Sequence, residues 1–237
     1  MSLSIVLPAH NEEQLLDLTV EEIVGGMRDR AEPFEVIVVE NGSRDRTAEI
    51  AGALAEEHTT VRVMQLEHAD YGAALRAGLL AATGDVVVNF DVDYYDLTFL
   101  DRAVALTRST GGPAVVVGSK RAPGADDQRS RGRRVVTWGF ATLLRALFRL
   151  QVSDTHGMKA LRREAVTPLV EACRFDRDLF DTELVIRTER QGLGVGEIPV
   201  TVTERRPSRT PVIRRVPRTL MGLVVLRRAM RRERPTR

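Results

Sequence analysis

The sequence has few of the residues that mark several common protein classes. Of its 237 residues one is cysteine and four are histidine, which excludes an intrachain disulfide framework and argues against a Cys/His zinc module. Aromatic residues make up 5%, too few for a nucleic-acid binder built on base-stacking platforms. No apolar run reaches the roughly 18 residues of a membrane span. The composition therefore predicts a soluble protein with one sizeable core.

The N-terminus does not resemble a secretory signal peptide. Met1–Ser4 contains no basic residue, and the apolar run Leu3–Leu7 stops at Pro8. That run is shorter than the apolar region of a signal peptide. We therefore expect a cytoplasmic protein.

The net charge of +2 is the sum of two opposed parts. Between Arg205 and Arg237 twelve arginines stand against one acid, a net charge of +11, so residues 1–204 carry −9. Within this tail, Pro217–Arg232 predicts an amphipathic helix whose apolar residues are framed by arginines, a pattern that suits an anionic membrane surface. Packing against the protein itself or a second subunit is the alternative. Binding to nucleic acid is disfavoured because the body is acidic.

Short β-branched runs alternate with helical patterns through the first half of the chain. The runs are continuously apolar, which is typical of parallel strands buried on both faces. Strand–helix alternation therefore predicts an α/β fold with a doubly wound, mostly parallel sheet flanked by helices. The predicted strands are Leu3–Leu7, Phe34–Val39, Val61–Leu66, Val86–Phe90 and Ala114–Gly118. The predicted helices are Glu12–Arg30, Asp45–Glu57, Ala73–Ala82 and Leu97–Thr107.

The character of the sequence changes after Gly118. Ser119–Arg134 is polar and rich in glycine and arginine, which predicts a mobile loop. We expect a single domain over residues 1–204, with a first half at 1–118 and a second half at 119–204, followed by the basic tail at 205–237. The later predicted elements are helices Val135–Leu150, Arg163–Cys173 and Phe180–Gln191 and strands Gly157–Ala160 and Ile198–Thr203.

Two carboxylates, Asp91 and Asp93, directly follow the predicted strand Val86–Phe90. Ligands of open α/β sheets bind outside the carboxyl ends of the strands. Residues i and i+2 of an extended segment point to the same side, so both acids can reach one cation. Hard oxygen ligands suit Mg²⁺ or Mn²⁺. A polar turn without a metal is the alternative for so short a motif.

Four linked motifs surround these acids. They are Ser4–Glu13, Val36–Thr47, Tyr71–Gly78 and Thr83–Asp93. Their order and spacing resemble the family-2 glycosyltransferases with the GT-A fold. In the second half, Gly118–Arg121, Val152–Ala160, and Ile198–Thr201 with Glu204-Arg205 look like the polyprenyl-phosphate (dolichol-phosphate) sugar synthases.

The resemblance implies an inverting, metal-dependent transfer of a hexose from a nucleoside diphosphate sugar to a polyprenyl phosphate. It assigns Asp91 and Asp93 to the metal and the diphosphate, with Asp93 also catalytic. Glu40 matches the acid that recognises the base, where Asp is more usual. The base, uracil or guanine, therefore stays open. The remaining nucleotide-sugar residues implied are Pro8, Ala9, Asn11, Glu12, Gly42 and Gly72.

The resemblance also implies cations that bind phosphate. Lys120, Arg133 or Arg134, and Arg205 fall where the synthases carry them. Arginine suits this task because its planar fork binds phosphate through two hydrogen bonds. For each of these cations a solvated surface position is the alternative. Arg205 is the strongest candidate and is expected to be catalytic.

Four further residues have competing interpretations. Asp154 matches an acceptor-site acid and would be a sensible base if the acceptor were a hydroxyl. Glu183 lies near a cleft or forms an ion pair with Arg187, four residues on. His156 could orient a sugar hydroxyl, and Cys173 is most simply a core residue.

At two positions this sequence departs from the residues usual in the synthases, one near the metal and one near the base. Tyr95 stands where the synthases often have Gln, so Asp96 or water could complete the metal shell, or Tyr94 and Tyr95 could simply pack. Asn41 replaces a second Asp beside Glu40. Two alternative functions follow, the same donor chemistry with a soluble or glycan hydroxyl acceptor and a non-catalytic nucleotide-sugar-binding protein. A lipid-phosphate acceptor would place the protein at the inner face of the membrane as a peripheral protein.

Overall fold

The computed structural model describes residues 1–128, 131–202 and 216–232. Seven strands form one sheet, and two short strands pair separately. The strands are β1 (Leu3–Ala9), β2 (Phe34–Asn41), β3 (Val61–Leu66), β4 (Val86–Asn89), β5 (Val115–Ser119), β6 (Asp126–Asp127), β7 (Lys159–Arg162), β8 (Val195–Pro199) and β9 (Thr201–Val202). The helices are α1 (Leu16–Arg28), α2 (Thr47–Glu57), α3 (Tyr71–Ala81), α4 (Leu97–Arg108), α5 (Arg131–Phe148), α6 (Arg163–Ala172), α7 (Phe180–Arg190) and α8 (Val216–Arg232). A short 3-10 turn, Arg177–Leu179, precedes α7.

The large sheet has the order β3-β2-β1-β4-β7-β5-β8 and confirms the mostly parallel arrangement. Only β7 runs antiparallel to its neighbours, β4 and β5. The second half of the chain therefore places a strand between two strands of the first half.

Helices cover both faces of this sheet. Along β2, Val36 and Val38 pack in one apolar cluster with α1, α2 and α4. Ile37 and Val39 pack in the other with α3, α5, α6, α7 and α8. Successive side chains of a strand point to opposite faces, which explains why the strand is continuously apolar.

The segment Ser119–Arg134, predicted to be a mobile loop, contains the strand β6 and the first residues of α5, so the prediction of a loop was wrong for those residues. β6 pairs with β9, where Asp126 lies opposite Thr201. The helix α5 begins at Arg131 rather than Val135, and arginine has a high helix propensity. The partner of β6 is distant in sequence, so the local pattern did not reveal this strand.

The helix α8 has two apolar surfaces. Leu223, Leu226 and Met230 are buried against the cluster that also contains Leu179. On the outer side, Leu220, Met221, Val224 and Val225 are exposed. The buried residues of α8 thus pack against the protein itself, which was one alternative for the tail. The exposed residues are the ones that a membrane surface could contact. Among the described residues, no helix has the length and apolar character needed to cross a membrane.

Candidate active site

The carboxyl ends of β1, β2 and β4 are neighbours in the sheet and bring together most of the predicted site residues. Pro8 and Ala9 end β1, and Glu40 lies at the end of β2. Asp91 follows β4 after one further residue, Phe90. This is the edge at which open α/β sheets bind ligands.

Hydrogen bonds fix the loop after β1 against the turn after β2. The backbone N–H of Asn11 donates to Oγ of Ser43 at 3.0 Å, and the Oδ1 atom of Asn11 accepts the N–H of Arg44 at 2.8 Å. The N–H of Glu12 donates to Oγ1 of Thr47 at 2.7 Å. Asn11 adopts a left-handed backbone with φ 56°, which delays the start of α1 to Leu16. The predicted nucleotide loop is therefore held in one conformation.

The turn after β2 depends on Glu40 and Gly42. Glu40 is buried, and its Oε1 atom accepts the N–H of Ser43 at 2.6 Å. Gly42 has φ 61°, and a Cβ atom there would lie 3.0 Å from the backbone N of Ala69. Glycine meets both conditions at this position. The carboxylate of Glu40 thus has a structural task in the turn.

The start of α3 is joined to the 3-10 turn. Oδ1 of Asp70 accepts the N–H groups of Ala73, at 3.1 Å, and Arg177, at 2.8 Å. Gly72 lies against the backbone of Arg177, where a Cβ atom would collide with its N atom. Arg177 itself has φ 52°. Gly72, expected to belong to the nucleotide-sugar site, therefore allows close approach of two backbone segments.

Asp91 and Asp93 lie in a tight turn rather than in an extended segment. The N–H of Asp91 donates to the carbonyl of Tyr94 at 3.2 Å, and that of Tyr94 donates to the carbonyl of Asp91 at 3.0 Å. The extended geometry predicted for the pair was wrong, because these bonds close the chain on itself immediately after the strand.

The surroundings of Asp91 disfavour the ionised form of its carboxyl group. Burial raises its pKa, and the nearby charges of Asp93 and Asp181 raise it further, against a hydrogen bond from Tyr71 and attraction by Lys120. The phenol of Tyr71 donates to Oδ1 of Asp91 at 2.8 Å. Burial and the charge of Asp91 raise the pKa of Tyr71 well above its usual range. A cation beside these acids would relieve their repulsion.

Lys159 and Asp181 belong to this cluster, although the sequence analysis did not single them out. Nζ of Lys159 lies 2.7 Å from Oδ1 of Asp181, and both side chains are buried. Nζ also donates to the carbonyl of Gly157 at 2.8 Å. The available signal was the acid two residues before Glu183 at the same helix start.

Asp154 and Lys120 lie close to each other. Oδ1 of Asp154 accepts the N–H of His156 at 3.1 Å. Its Oδ2 atom is buried without a hydrogen bond from any described residue and lies 4.0 Å from Nζ of Lys120. Lys120 also attracts Asp91, so its positive charge acts on both Asp91 and Asp154.

The contacts of Glu183 and Cys173 decide between the competing interpretations of these two residues. Glu183 forms the ion pair with Arg187 at 2.7 Å, and its second oxygen accepts the N–H groups of Arg174 and Phe175. The ring of His156 packs edge-on against Phe140. Cys173 is buried, as expected for a core residue. Glu183 is therefore structural.

The aromatic residues after the acid pair pack, and Asp96 caps a helix. Tyr95 donates to Glu22 and packs near Phe90, while the hydroxyl of Tyr94 donates to the carbonyl of Thr201 at 3.1 Å. Asp96 accepts the first N–H groups of α4. These cap bonds use Oδ1 of Asp96, and its place in a metal shell stays a hypothesis.

Of the three predicted phosphate-binding arginines, the structure describes the side chain of Arg134 alone. Arg134 is exposed in the first turn of α5 and forms no ion pair with a described residue. The side chain of Arg133 and the whole of Arg205 lie outside the described residues. Among the predicted cations, Lys120 is the one that the described contacts bring to the acids.

The donor set at the acid pair fits a divalent metal ion. Asp91 and Asp93 offer hard carboxylate oxygens, which Mg²⁺ and Mn²⁺ prefer. Burial and the charges of Asp93 and Asp181 raise the pKa of Asp91, and a cation held here would favour its ionised form.

Comparisons with known proteins agree with this geometry. The family model described as Glycosyl transferase family 2 matches residues 4–169. Glycosyltransferase AglD of Haloferax volcanii is 34% identical over 235 residues, which cover 96% of this chain and 37% of AglD. Dolichyl-phosphate beta-glucosyltransferase ALG5A of Trichomonas vaginalis is 29% identical over 213 residues, which cover 85% of this chain and 66% of ALG5A. The chain thus spans only part of each relative.

A solved structure shares the fold. Glucosyl-3-phosphoglycerate synthase from Mycobacterium tuberculosis, in complex with Mn²⁺, UDP-glucose and phosphoglyceric acid, has a TM-score of 0.73 at 24% identity. The match covers 95% of this chain and 79% of that chain. It confirms the predicted GT-A type of fold.

Proposed function

The chain belongs to glycosyl transferase family 2, and from this premise we propose that it transfers a hexose from a nucleoside diphosphate sugar to a polyprenyl phosphate of the dolichyl type. The observation that carries the proposal is that Nζ of Lys120 lies 4.0 Å from Asp154 and that its charge also attracts Asp91. A cation that acts on both acids would attract the donor diphosphate as well as an acceptor phosphate. The name of ALG5A, a dolichyl-phosphate beta-glucosyltransferase, supports the acceptor class and favours glucose.

The donor half of the reaction would use the ordered loops at the ends of β1, β2 and β4. Asp91 and Asp93 would hold Mg²⁺ or Mn²⁺, and such an ion, when bound, stabilises the charge of a leaving diphosphate. The backbone of Asn11 and Glu12 is already fixed against the second loop, which lowers the entropy cost of binding a nucleotide. UDP and GDP both remain donors to be compared.

The acceptor half needs a phosphate held close to the anomeric carbon. A phosphate oxygen is ionised at neutral pH, so it attacks without a general base. Its new bond to the anomeric carbon forms as the bond from that carbon to the diphosphate oxygen breaks, which inverts the configuration. Lys120 would attract the acceptor phosphate, assisted by the predicted cations Arg133, Arg134 and Arg205.

A hydroxyl acceptor is the second candidate, and Asp154 favours it. Its Oδ2 atom is buried and accepts no hydrogen bond from a described residue. A carboxylate in that state is suited to take the proton of an attacking hydroxyl. The two candidates differ in whether Asp154 is needed for turnover.

One assay separates these candidates. The release of nucleoside diphosphate is measured from UDP- and GDP-hexoses with Mn²⁺, with Mg²⁺ and with a chelator. A short-chain polyprenyl phosphate in detergent or a soluble sugar is added as the acceptor. We expect stimulation by the polyprenyl phosphate and loss of turnover in chelator. Stimulation by the sugar alone, abolished by Asp154→Asn, would establish the second candidate instead.

A polyprenyl acceptor also requires contact with a membrane, for which we propose the outer side of α8. Leu220, Met221, Val224 and Val225 are exposed there beside arginines. Val135, Val136 and Trp138 expose a second apolar patch on α5. Apolar side chains framed by arginine bind anionic interfaces. The protein would then be peripheral, at the cytoplasmic face.

Matched variants on α8 test this contact. Met221→Gln with Val225→Gln alters exposed residues and should weaken flotation with anionic vesicles while leaving the unfolding midpoint unchanged. Leu226→Gln alters a fully buried residue of the same helix and should lower the midpoint. Unchanged flotation of the first variant would refute the membrane contact.

A further inference from the structure

A pocket of about 380 Å³ lies at the C-terminal ends of α5, α7 and α8. Four arginines line it, Arg149 directly after α5, Arg190 at the end of α7, and Arg227 and Arg231 in the last turns of α8. Arg190 and Asp181 are at opposite ends of α7, about 14 Å apart along its axis. The pocket is therefore separate from the candidate active site.

The four arginines have no counter-charge among the described residues. None of their guanidinium groups forms an ion pair or hydrogen bond with a residue that the structure describes. The neighbouring acid Glu189 instead accepts the backbone N–H groups of Gln151 and Val152, at 3.2 and 3.4 Å. Glu233, the one acid of the tail, lies outside the described residues.

Helix ends alone do not account for this charge. A helix C-terminus carries roughly half a negative charge, so three of them offset less than half of four arginines. Arg149 also adopts φ 61°, a conformation that favours glycine and that strains other residues. Four arginines around one pocket therefore offer an anion a site of concentrated positive charge.

Apolar side chains also line the pocket. Leu147, Phe148 and Met230 line it together with the arginines. Along α8, residues Leu220, Val224, Arg227 and Arg231 follow the spacing i, i+4, i+7 and i+11 and so share one side of the helix. Leu220 and Val224 are exposed. An exposed apolar strip therefore leads directly to two of the pocket arginines.

We propose that this pocket binds the phosphate headgroup of an anionic phospholipid. Arginine forks bind phosphate through paired hydrogen bonds, and the volume falls within the range of small-ligand sites. The hydrocarbon next to that headgroup would contact Leu220 and Val224, which a soluble phosphate compound would leave exposed. The inference rests on the proposed membrane contact and extends it to α5 and α7.

The test compares two pairs of arginines that lie outside α8. Arg149→Gln with Arg190→Gln removes two charges from the pocket. Arg102→Gln with Arg145→Gln removes two exposed charges elsewhere, the second on α5 one turn before Arg149. Flotation is measured with phosphatidylcholine vesicles that contain or lack phosphatidylglycerol. We expect the pocket pair to lose at least about tenfold more binding to anionic vesicles than the control pair, because diffuse attraction counts charges only.

Every other outcome overturns the pocket as a lipid site. Equal losses by both pairs indicate diffuse electrostatics. Thermal protection by inorganic phosphate that only the pocket pair loses, with flotation unchanged, indicates a soluble ligand. A change of oligomeric state in the pocket pair alone, measured by size-exclusion chromatography with light scattering, indicates a second copy of the chain.

Controls with the wild-type protein distinguish failure of the proposed function from failure of the pocket as a lipid site. A wild-type protein that floats with neither kind of vesicle refutes the membrane contact itself. A wild-type protein that transfers no sugar to polyprenyl phosphate in detergent refutes the activity, while the comparison of the two pairs still stands. Both pairs should retain wild-type transfer in detergent, since none of these arginines contacts the acid cluster.

Discussion

Nζ of Lys159 lies 2.7 Å from Oδ1 of Asp181, and the ion pair that they form is almost completely buried. Lys159 begins β7 and Asp181 lies in the first turn of α7, so the pair ties the antiparallel strand to the helix that faces the acid cluster. The charge of Asp181 raises the pKa of Asp91. Lys159 therefore limits the negative charge at the candidate metal site.

Breaking this pair should be costly. Replacing Lys159 with methionine leaves a buried carboxylate without its partner, which should lower the free energy of unfolding by about 3–5 kcal/mol. The double variant Lys159→Met, Asp181→Asn removes the stranded charge and should recover at least about 1 kcal/mol relative to the summed single losses. Urea denaturation of the wild type and three variants measures this coupling. Strictly additive losses would contradict it.

Removing the charge of Asp93 should lower donor turnover strongly, whereas removing the charge of Asp96 should change it little. Asp93→Asn should lower kcat/KM for the donor by at least about 100-fold, because it removes a candidate metal ligand that stabilises the leaving diphosphate. Asp96→Asn should retain activity within a few-fold, since this side chain caps α4. Donor kinetics at saturating Mn²⁺ compare the two. A kcat/KM of Asp93→Asn within a few-fold of wild type would remove Asp93 from the mechanism.

Gly72 and Gly52 should differ in their tolerance of a methyl group. Gly72→Ala brings a Cβ atom into the backbone of Arg177 and should destabilise the protein by about 1–3 kcal/mol while raising the KM of the donor. Gly52→Ala meets no atom within 4 Å in the interior of α2 and should stabilise by about 0.5–1 kcal/mol. Urea denaturation gives both signs. A stabilising Gly72→Ala would exclude the close contact.

Glu35 should make stability depend on pH in acid. Burial opposes its ionisation, but hydrogen bonds from Ser4, Thr83 and Arg62 outweigh burial and lower the pKa from 4.5 to about 2. A lowered folded-state pKa stabilises the protein above the unfolded value, and this stabilisation disappears as pH falls from 4.5 towards 2.

Glu35→Gln should therefore lose about 1–2 kcal/mol at neutral pH, a value reduced for partial solvent screening. The difference from wild type should shrink as the pH is lowered from 4.5 towards 2. Denaturation at several pH values measures this change. A difference that stays constant over this range would show that the lost hydrogen bonds, rather than ionisation, matter.

Local patterns predicted the strands and helices of the first half because each is specified by nearby residues. The continuous apolar run of β2 reports burial on both faces, and the apolar spacing of α4 reports one covered face. The insertion of β7 between β4 and β5, and the pairing of β6 with β9, depend on partners distant in the chain. No periodicity within a short segment contains that information.

The same distinction applies to the site. Asp91 and Asp93 were predictable because they directly follow a buried strand, whereas the partnership of Lys159 with Asp181 arises only when β7 and α7 pack together. A lysine buried in a strand is exceptional, and the sequence signal for the pair was the acid two residues before Glu183. The competing interpretations of Glu183 needed three-dimensional contacts to resolve them.

The position of β7 has a consequence for biosynthesis. β5 pairs only with β7 and β8 in the described sheet, so a nascent chain that ends at residue 119 carries β5 without any neighbour. In the same chain β4 presents an open edge, which is a template for misassociation. The gap between β4 and β5 is filled only after translation has passed Arg162, and β8 is added after Pro199. These pairings join segments far apart in the chain, which slows folding. A ribosome stalled between these points would thus hold an aggregation-prone intermediate, and chaperone demand should peak there.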